Sequence, residues 1–193
     1  MSELALPQAR AGRPSGWWGT ALFLATEVTL FGTLFGTFAY LRFKAVHWPP
    51  PGIPEPEVLS PVVLTCALAL TSVPVQAALV SARAGRARRA VAALVLALVV
   101  QSGYLAAQLV LYARDVDRVE PHRTAYGSIV VTMLGVHAAH VAVGILLELW
   151  LAVRLAQGLT RYRVVGLAST ALYWHVVNAL AVLVLLVELS PRL

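Results

Sequence analysis

The feature that most restricts this chain is the recurrence of long apolar stretches, at about residues 17–40, 60–81, 90–112, 126–153 and 164–189. A helix needs about 20 apolar residues to cross the hydrocarbon of a bilayer, and each stretch reaches that length. None alternates apolar and polar residues with a period of two, which argues against a β-barrel. A helix that is apolar on every side belongs in a membrane or a deep core. The polar chain left over cannot coat a soluble core of this size. Charged residues make up 12% of the sequence, about half the usual share. The prediction is an all-α integral membrane protein, a single membrane domain over residues 1–193 with five transmembrane helices. There is no internal repeat, coiled coil or low-complexity tract beyond one proline-rich loop.

That loop, 42–59, contains Trp48, Pro49, Pro50, Pro51, Gly52, Pro54 and Pro56. Its prolines forbid helix and favour a stiff, extended crossing. Cations set the expected orientation. Arg10 and Arg13 before the first stretch, Arg83, Arg86, Arg88 and Arg89 after the second, and Arg154, Arg161 and Arg163 after the fourth all fall on one side. The opposite side has fewer, together with Glu55, Glu57, Asp115, Asp117 and Glu120. By the positive-inside rule the N-terminus is inside and the C-terminus outside. The net charge of +6 therefore reads as topological anchoring and contact with anionic lipid, not as a nucleic-acid surface. The single cysteine, Cys66, permits neither an internal disulfide nor a cysteine-based metal site. The first apolar run is too long for a signal-peptide core and no small-residue cleavage site follows it, so no cleavable leader is expected.

Polar residues inside the stretches carry the functional candidates. Glu27 lies near mid-bilayer, where an acid costs roughly 2.5–3.5 kcal/mol on insertion scales. It handles protons or contacts a partner, or it is a carboxyl hydrogen-bonded to a neighbouring helix. Gly32 and Gly36 form a GxxxG, which lets two helices approach closely. They lie across the helix from Glu27, which shares its face with Leu24, Phe31, Leu34 and Phe38. The helix is therefore expected to pack on a neighbour through glycine and to turn Glu27 towards another helix, lipid or a partner subunit. His137 and His140 share a face of the fourth stretch, and His175 stands on the fifth. Histidines paired across helices can ligate haem iron, so a small haem-binding cytochrome b is an alternative. The depths of His140 and His175 differ by roughly 7 Å, which opposes it. Inter-helix packing or lipid contact is the plainer role of these histidines. Pro74 is expected to kink the second helix, and Gln76, Gln101 and Gln108 to bridge helices. No phosphate loop, cysteine pair or nucleophile–base pair is present, so no catalytic residue and no metal ligand is assigned. A small transporter is disfavoured by the lack of repeats and broken helices.

The order of motifs resembles subunit III of the cytochrome c oxidase (haem–copper oxidase) family. Trp17-Trp18-Gly19 followed by Glu27 is similar to that family's WWG and membrane-buried Glu. His47-Trp48-Pro49-Pro50-Pro51-Gly52-Ile53 resembles its W-P-P-x-G loop. Tyr126-Gly127-Ser128 with Gly135-Val136-His137-Ala138-Ala139-His140-Val141 resembles Y-G-S…G-x-H-x-x-H-V, and Tyr173-Trp174-His175-Val176-Val177 resembles Y-W-H-F-V. The resemblance implies a five-helix bacterial-type form. It would be a non-catalytic subunit of a terminal oxidase, in aerobic electron transport that couples oxygen reduction to proton translocation. Haem and copper would reside in partner subunits, with no cofactor in this chain. The partners implied are catalytic subunit I, subunit II and phospholipids, in a bacterial inner (plasma) membrane, with no nucleic acid. Glu27 would be the family's buried carboxylate, supporting proton uptake. His137, His140, His175, Trp174, Gly32 and Gly36 would serve lipid or subunit packing. Asn178 and Ala181 stand where the family has Asp and Trp, and Leu111 and Leu167 where it often has acids. These departures point to a divergent branch, with an accessory subunit of a quinol oxidase or nitric oxide reductase as alternatives.

Overall fold

A computed structural model describes residues 15–53 and 55–192. Arg10, Arg13 and most of the polar N-terminal tail lie outside these, as does Pro54 of the proline loop. The described chain is helical: α1 (Ser15–Lys44), α2 (Leu59–Leu70), α3 (Ser72–Arg83), α4 (Ala87–Val119), α5 (Ala125–Ala156) and α6 (Arg161–Glu188), closed by a short 3-10 turn (Ser190–Arg192). Five helical spans are long and apolar enough to cross a membrane, α2 and α3 together making one of them.

The break between α2 and α3 falls at Thr71, three residues before Pro74. Proline has no N–H to offer the carbonyl one turn back. The chain tightens instead: the Thr71 N–H bonds the Leu68 carbonyl at 3.0 Å and the Thr71 hydroxyl donates to the same oxygen at 2.6 Å. The helices also run past the apolar stretches. The 33 residues of α4 measure about 50 Å, well beyond the ~30 Å hydrocarbon. Arg88 and Arg89 at one end, and Arg114, Asp115 and Arg118 at the other, are therefore helical, not part of connections. The basic turn shrinks to Ala84–Arg86, where Gly85 takes a φ of +74°.

The bundle is organised around α4 and α5, whose mutual contact is the most extensive; α3 lies against α4, and α6 against α5 and α3. The buried residues of α4 (Ala90, Leu94, Ala97, Gln101, Tyr104, Gln108) recur every three or four positions, the spacing of one helix face. On α5 the same spacing aligns His137, Val141, Gly144, Glu148, Leu151 and Leu155. Gly144 has a packing reason: a Cβ there would stand 2.8 Å from the Trp174 ring and 3.0 Å from that of Tyr173. Its hydrogen lets α6 press both aromatics onto α5.

α1 is peripheral and touches only α5 and α6. About 17% of its central residues are buried, against 50% for α6. The face it packs is the one holding Glu27: Leu24, Phe31 and Phe38 are buried. This reverses the expectation that α1 packs on a neighbour through Gly32 and Gly36. A Cβ on either glycine would meet nothing within 4 Å. The reason is shape. Phe31 and Phe38 fill the space against α5, joining the cluster of Tyr126, Val130, Met133 and Leu134. A flat glycine face would leave that space unfilled. On the bare side, Thr29, Thr33 and Thr37 each return a hydroxyl hydrogen bond to the carbonyl four residues back, at 2.9 Å, which satisfies them without water.

Candidate functional site

Glu27 and His140 meet between α1 and α5. The carboxyl Oε2 lies 2.5 Å from His140 Nε2, and the two side chains are 16% and 15% exposed. The other ring nitrogen fixes the chemistry. Nδ1 sits 2.7 Å from the Val136 carbonyl, an oxygen that can only accept, so Nδ1 carries a hydrogen. A single proton is then shared between Glu27 and Nε2: as a carboxyl O–H donating to a neutral ring, or as an imidazolium donating to a carboxylate. The two forms have the same total charge, so the pair resides in a membrane without net charge. Tyr173 steadies it from α6 by donating its hydroxyl to the His140 carbonyl at 2.8 Å. Phe31 stands edge-on to the imidazole, centroids 5.5 Å apart. The helical spacing that placed Glu27 on the Phe31 face also brought it to His140; the pairing itself needed the tertiary structure.

A second acid in the fourth stretch, Glu148, to which the sequence assigns no role, lies deeper. Glu148 is fully buried, as are Gln101 of α4 and Trp174 of α6. The Gln101 amide and the Trp174 indole flank its carboxyl. Both are close enough to act on it as donors but lie outside ordinary hydrogen-bond distances and angles, so both Glu148 oxygens, Trp174 Nε1 and Gln101 Oε1 have no close partner among the described residues. Gln101 uses its nitrogen on the Thr71 hydroxyl, at 3.5 Å, and so links α4 to the α2–α3 break. His137 is 2% exposed with neither ring nitrogen bonded. The signal that could have found Glu148 is its register with His137, Val141 and Gly144, a stripe that points inward along the whole of α5.

His175 faces elsewhere. It is exposed, 3.4 Å from the Ser72 hydroxyl and 3.5 Å from the Gln76 amide oxygen of α3. One turn on, Asn178 donates to the Ser72 hydroxyl at 2.7 Å. A histidine pair across α5 and α6 is therefore not assembled: both nitrogens of His140 are engaged, and His175 sits against α3. No group of three or more His, Cys, Asp or Glu among the described residues is arranged to hold a metal ion. Trp174 lies in the core, whereas Gly32 and Gly36 are on the bare face of α1.

Five spans and one charge-neutral Glu–His pair at the edge of the bundle define a multi-pass helical membrane protein. Residues 13–189 match the family described as Cytochrome c oxidase subunit III, and the chain belongs to that family. Its similarity to curated members is broad and moderate. It is 29% identical over 168 residues to Cytochrome bo(3) ubiquinol oxidase subunit 3 of Pseudomonas aeruginosa, covering 83% of this chain and 76% of that one. It is 27% identical to Probable quinol oxidase subunit 3 of Staphylococcus haemolyticus (83% and 79% covered). It is 26% identical to Quinol oxidase subunit 3 of Bacillus spizizenii (87% and 82% covered). The chain is a subunit III of a haem–copper terminal oxidase, and as such associates with the other oxidase subunits in a membrane complex.

Proposed function

We propose that this chain is the accessory, non-catalytic subunit of a quinol-oxidising terminal oxidase in a bacterial inner membrane. In this reading it packs on catalytic subunit I beside subunit II, with its N-terminus inside, and its Glu27–His140 pair sustains proton uptake during turnover. Haem and copper belong to the partners. The observation that carries the role is the 2.5 Å contact between Glu27 Oε2 and His140 Nε2. A proton held there can shift from one group to the other without creating net charge, and the pair sits at the α1 edge, not in the sealed core. The choice of quinol rests on relatives named as quinol oxidase subunits. Orientation rests on the cation distribution.

Two measurements test this. The purified complex should oxidise a soluble quinol and show no steady-state oxidation of reduced cytochrome c; the reverse preference would reject the donor. In the same complex, Glu27→Gln and His140→Ala should leave initial turnover near its normal rate. Each should shorten catalytic lifetime by on the order of tenfold, the equivalent of about 1.4 kcal/mol and close to one charge-assisted hydrogen bond. Unchanged lifetime in both variants would remove the proton role.

A further inference from the structure

A cavity of about 320 Å³ opens between α1, α5 and α6, with Gly19, Thr20 and Phe23 of α1 and Ser169, Thr170 and Tyr173 of α6 among its walls. Its place relative to the Glu27–His140 pair follows from the register of three helices. Phe23 precedes Glu27 by one turn of α1. As the first and fifth of five spans, α1 and α6 run the same way, and Ser169 and Thr170 come one turn before Tyr173, whose hydroxyl bonds the His140 carbonyl. On the opposed α5, the wall residue Leu147 comes after His140. All three helices therefore put the cavity between the pair and the side of the membrane on which α1 and α6 begin.

The hydroxyls on its wall separate it from the rest of the lipid-facing surface. Thr20, Thr26, Thr29, Thr33 and Thr37 of α1 each return the hydroxyl hydrogen to a carbonyl of their own helix, the arrangement that hydrocarbon demands. Ser169 and Thr170 do not: neither hydroxyl makes a hydrogen bond among the described residues. A hydroxyl left unbonded in an apolar medium is costly, so these two call for a polar occupant. Tyr173 adds a third oxygen, which donates to His140 and keeps lone pairs to accept with. A water held inside a protein uses about three such partners, and at ~30 Å³ each the cavity has room for several waters. Tyr173 also joins the cavity to the pair. Its phenol stands close enough to Glu27 to feel that charge, and Phe23 stacks on its ring, centroids 6.4 Å apart. Gly19 packs on nothing, since a Cβ there would meet no atom within 4 Å. Its effect is to leave that wall open.

We propose that this cavity is a water-filled vestibule that supplies protons to the Glu27–His140 pair from the side on which α1 begins, with Ser169, Thr170 and Tyr173 holding the water and Gly19 keeping the mouth clear. A proton taken up by the pair leaves a water of the vestibule, and the aqueous phase restores that water; no other reactant is needed. The vestibule rests on the proton role proposed above and adds the source of the protons.

The assembled complex in sealed vesicles tests this, with Cys66→Ala removing the exposed native thiol. Ser169→Cys and Thr170→Cys barely change side-chain size. A small membrane-impermeant cationic thiosulfonate, added on the side where α1 begins, should modify both at least about tenfold faster than Leu146→Cys, because the reactive thiolate forms only in water. Leu146 neighbours Leu147 at the same depth and is 65% exposed on the outer surface of the bundle. Gly19→Phe should slow both modifications by a similar factor. It should equally slow the exchange, on transfer to D2O, of the infrared bands that Glu27→Gln abolishes. Modification at 169 and 170 no faster than at 146 would give the cavity to an acyl chain and overturn the vestibule, as would modification from the opposite side alone. Deuterium exchange untouched by Gly19→Phe, with thiol modification slowed, would overturn the link to Glu27. The two proposals fail separately. Fast modification with a normal catalytic lifetime in Glu27→Gln would end the proton supply and leave only a hydrated cavity. Slow modification with a shortened lifetime would end the vestibule and leave the proton role.

Discussion

Glu27 and Glu148 are both acids within the membrane spans, yet the bundle treats them oppositely. Glu27 stands on the most peripheral helix, partly exposed, with a histidine partner at 2.5 Å. Glu148 is on the central α5, fully buried, with Gln101 and Trp174 beside it and no donor in bonding geometry. The edge site is polar, closely paired and partly exposed; the interior site is polar, loosely bonded and sealed. An acid that must exchange a proton needs a partner to share it and a route for the proton. Glu27 has a histidine beside it and is partly exposed; Glu148 is fully buried. Glu148 instead belongs to the packing of α5 against α4 and α6, one turn from Gly144, where the Trp174 and Tyr173 rings press on α5.

The contrast can be broken by comparing stability, read from reversible unfolding of the chain in mixed micelles. The largest loss is expected for Trp174→Ala. It removes the fully buried ring that walls Glu148 and fills the Gly144 notch, and should cost about 3–5 kcal/mol. If it costs less than a change at the α1 edge, the ranking of interior over edge fails. The next contrast sharpens the difference between the two acids. Glu27→Leu strips His140 Nε2 of its partner and should cost about 1–2 kcal/mol. Glu148→Leu removes a carboxyl that Gln101 and Trp174 hold only loosely, and should leave stability within about 1 kcal/mol of the native chain. Equal losses would show that Glu148 is as well bonded as Glu27. The smallest effect is expected on the bare face of α1. Gly32→Leu and Gly36→Leu should leave the isolated chain unchanged, because a side chain there meets nothing within this subunit. They should lower recovery of partner subunits on co-purification if that face docks in the complex. Normal recovery would assign it to lipid.

Five spans were legible in the sequence because crossing hydrocarbon is a property of each stretch alone: its length and its apolar content. The break near Pro74 was legible for the same reason, since a missing N–H acts within one turn. The end of α4 was not. Arg114 and Arg118 read as loop residues by polarity, but the backbone goes on satisfying its hydrogen bonds as helix in the headgroup region while long side chains reach for water. The Glu27 face with Leu24, Phe31 and Phe38 followed from a 100° rotation per residue. Which face was turned inward did not follow, because glycine and phenylalanine faces both pack helices and only the shape of α5 selects between them.

Residue order thus determined, without help, a chain of membrane-spanning helices, its family motifs and an acid within the first span. Tertiary structure decided what each polar group meets: His140 for Glu27, Ser72 for Asn178, the α3 face for His175, and Gln101 with Trp174 for Glu148. The physical reason is range. Hydropathy and helical rotation are set by residues a few positions apart. A hydrogen bond between residues 27 and 140 depends on how two helices turn about their axes, and that is settled only when all the helices pack together.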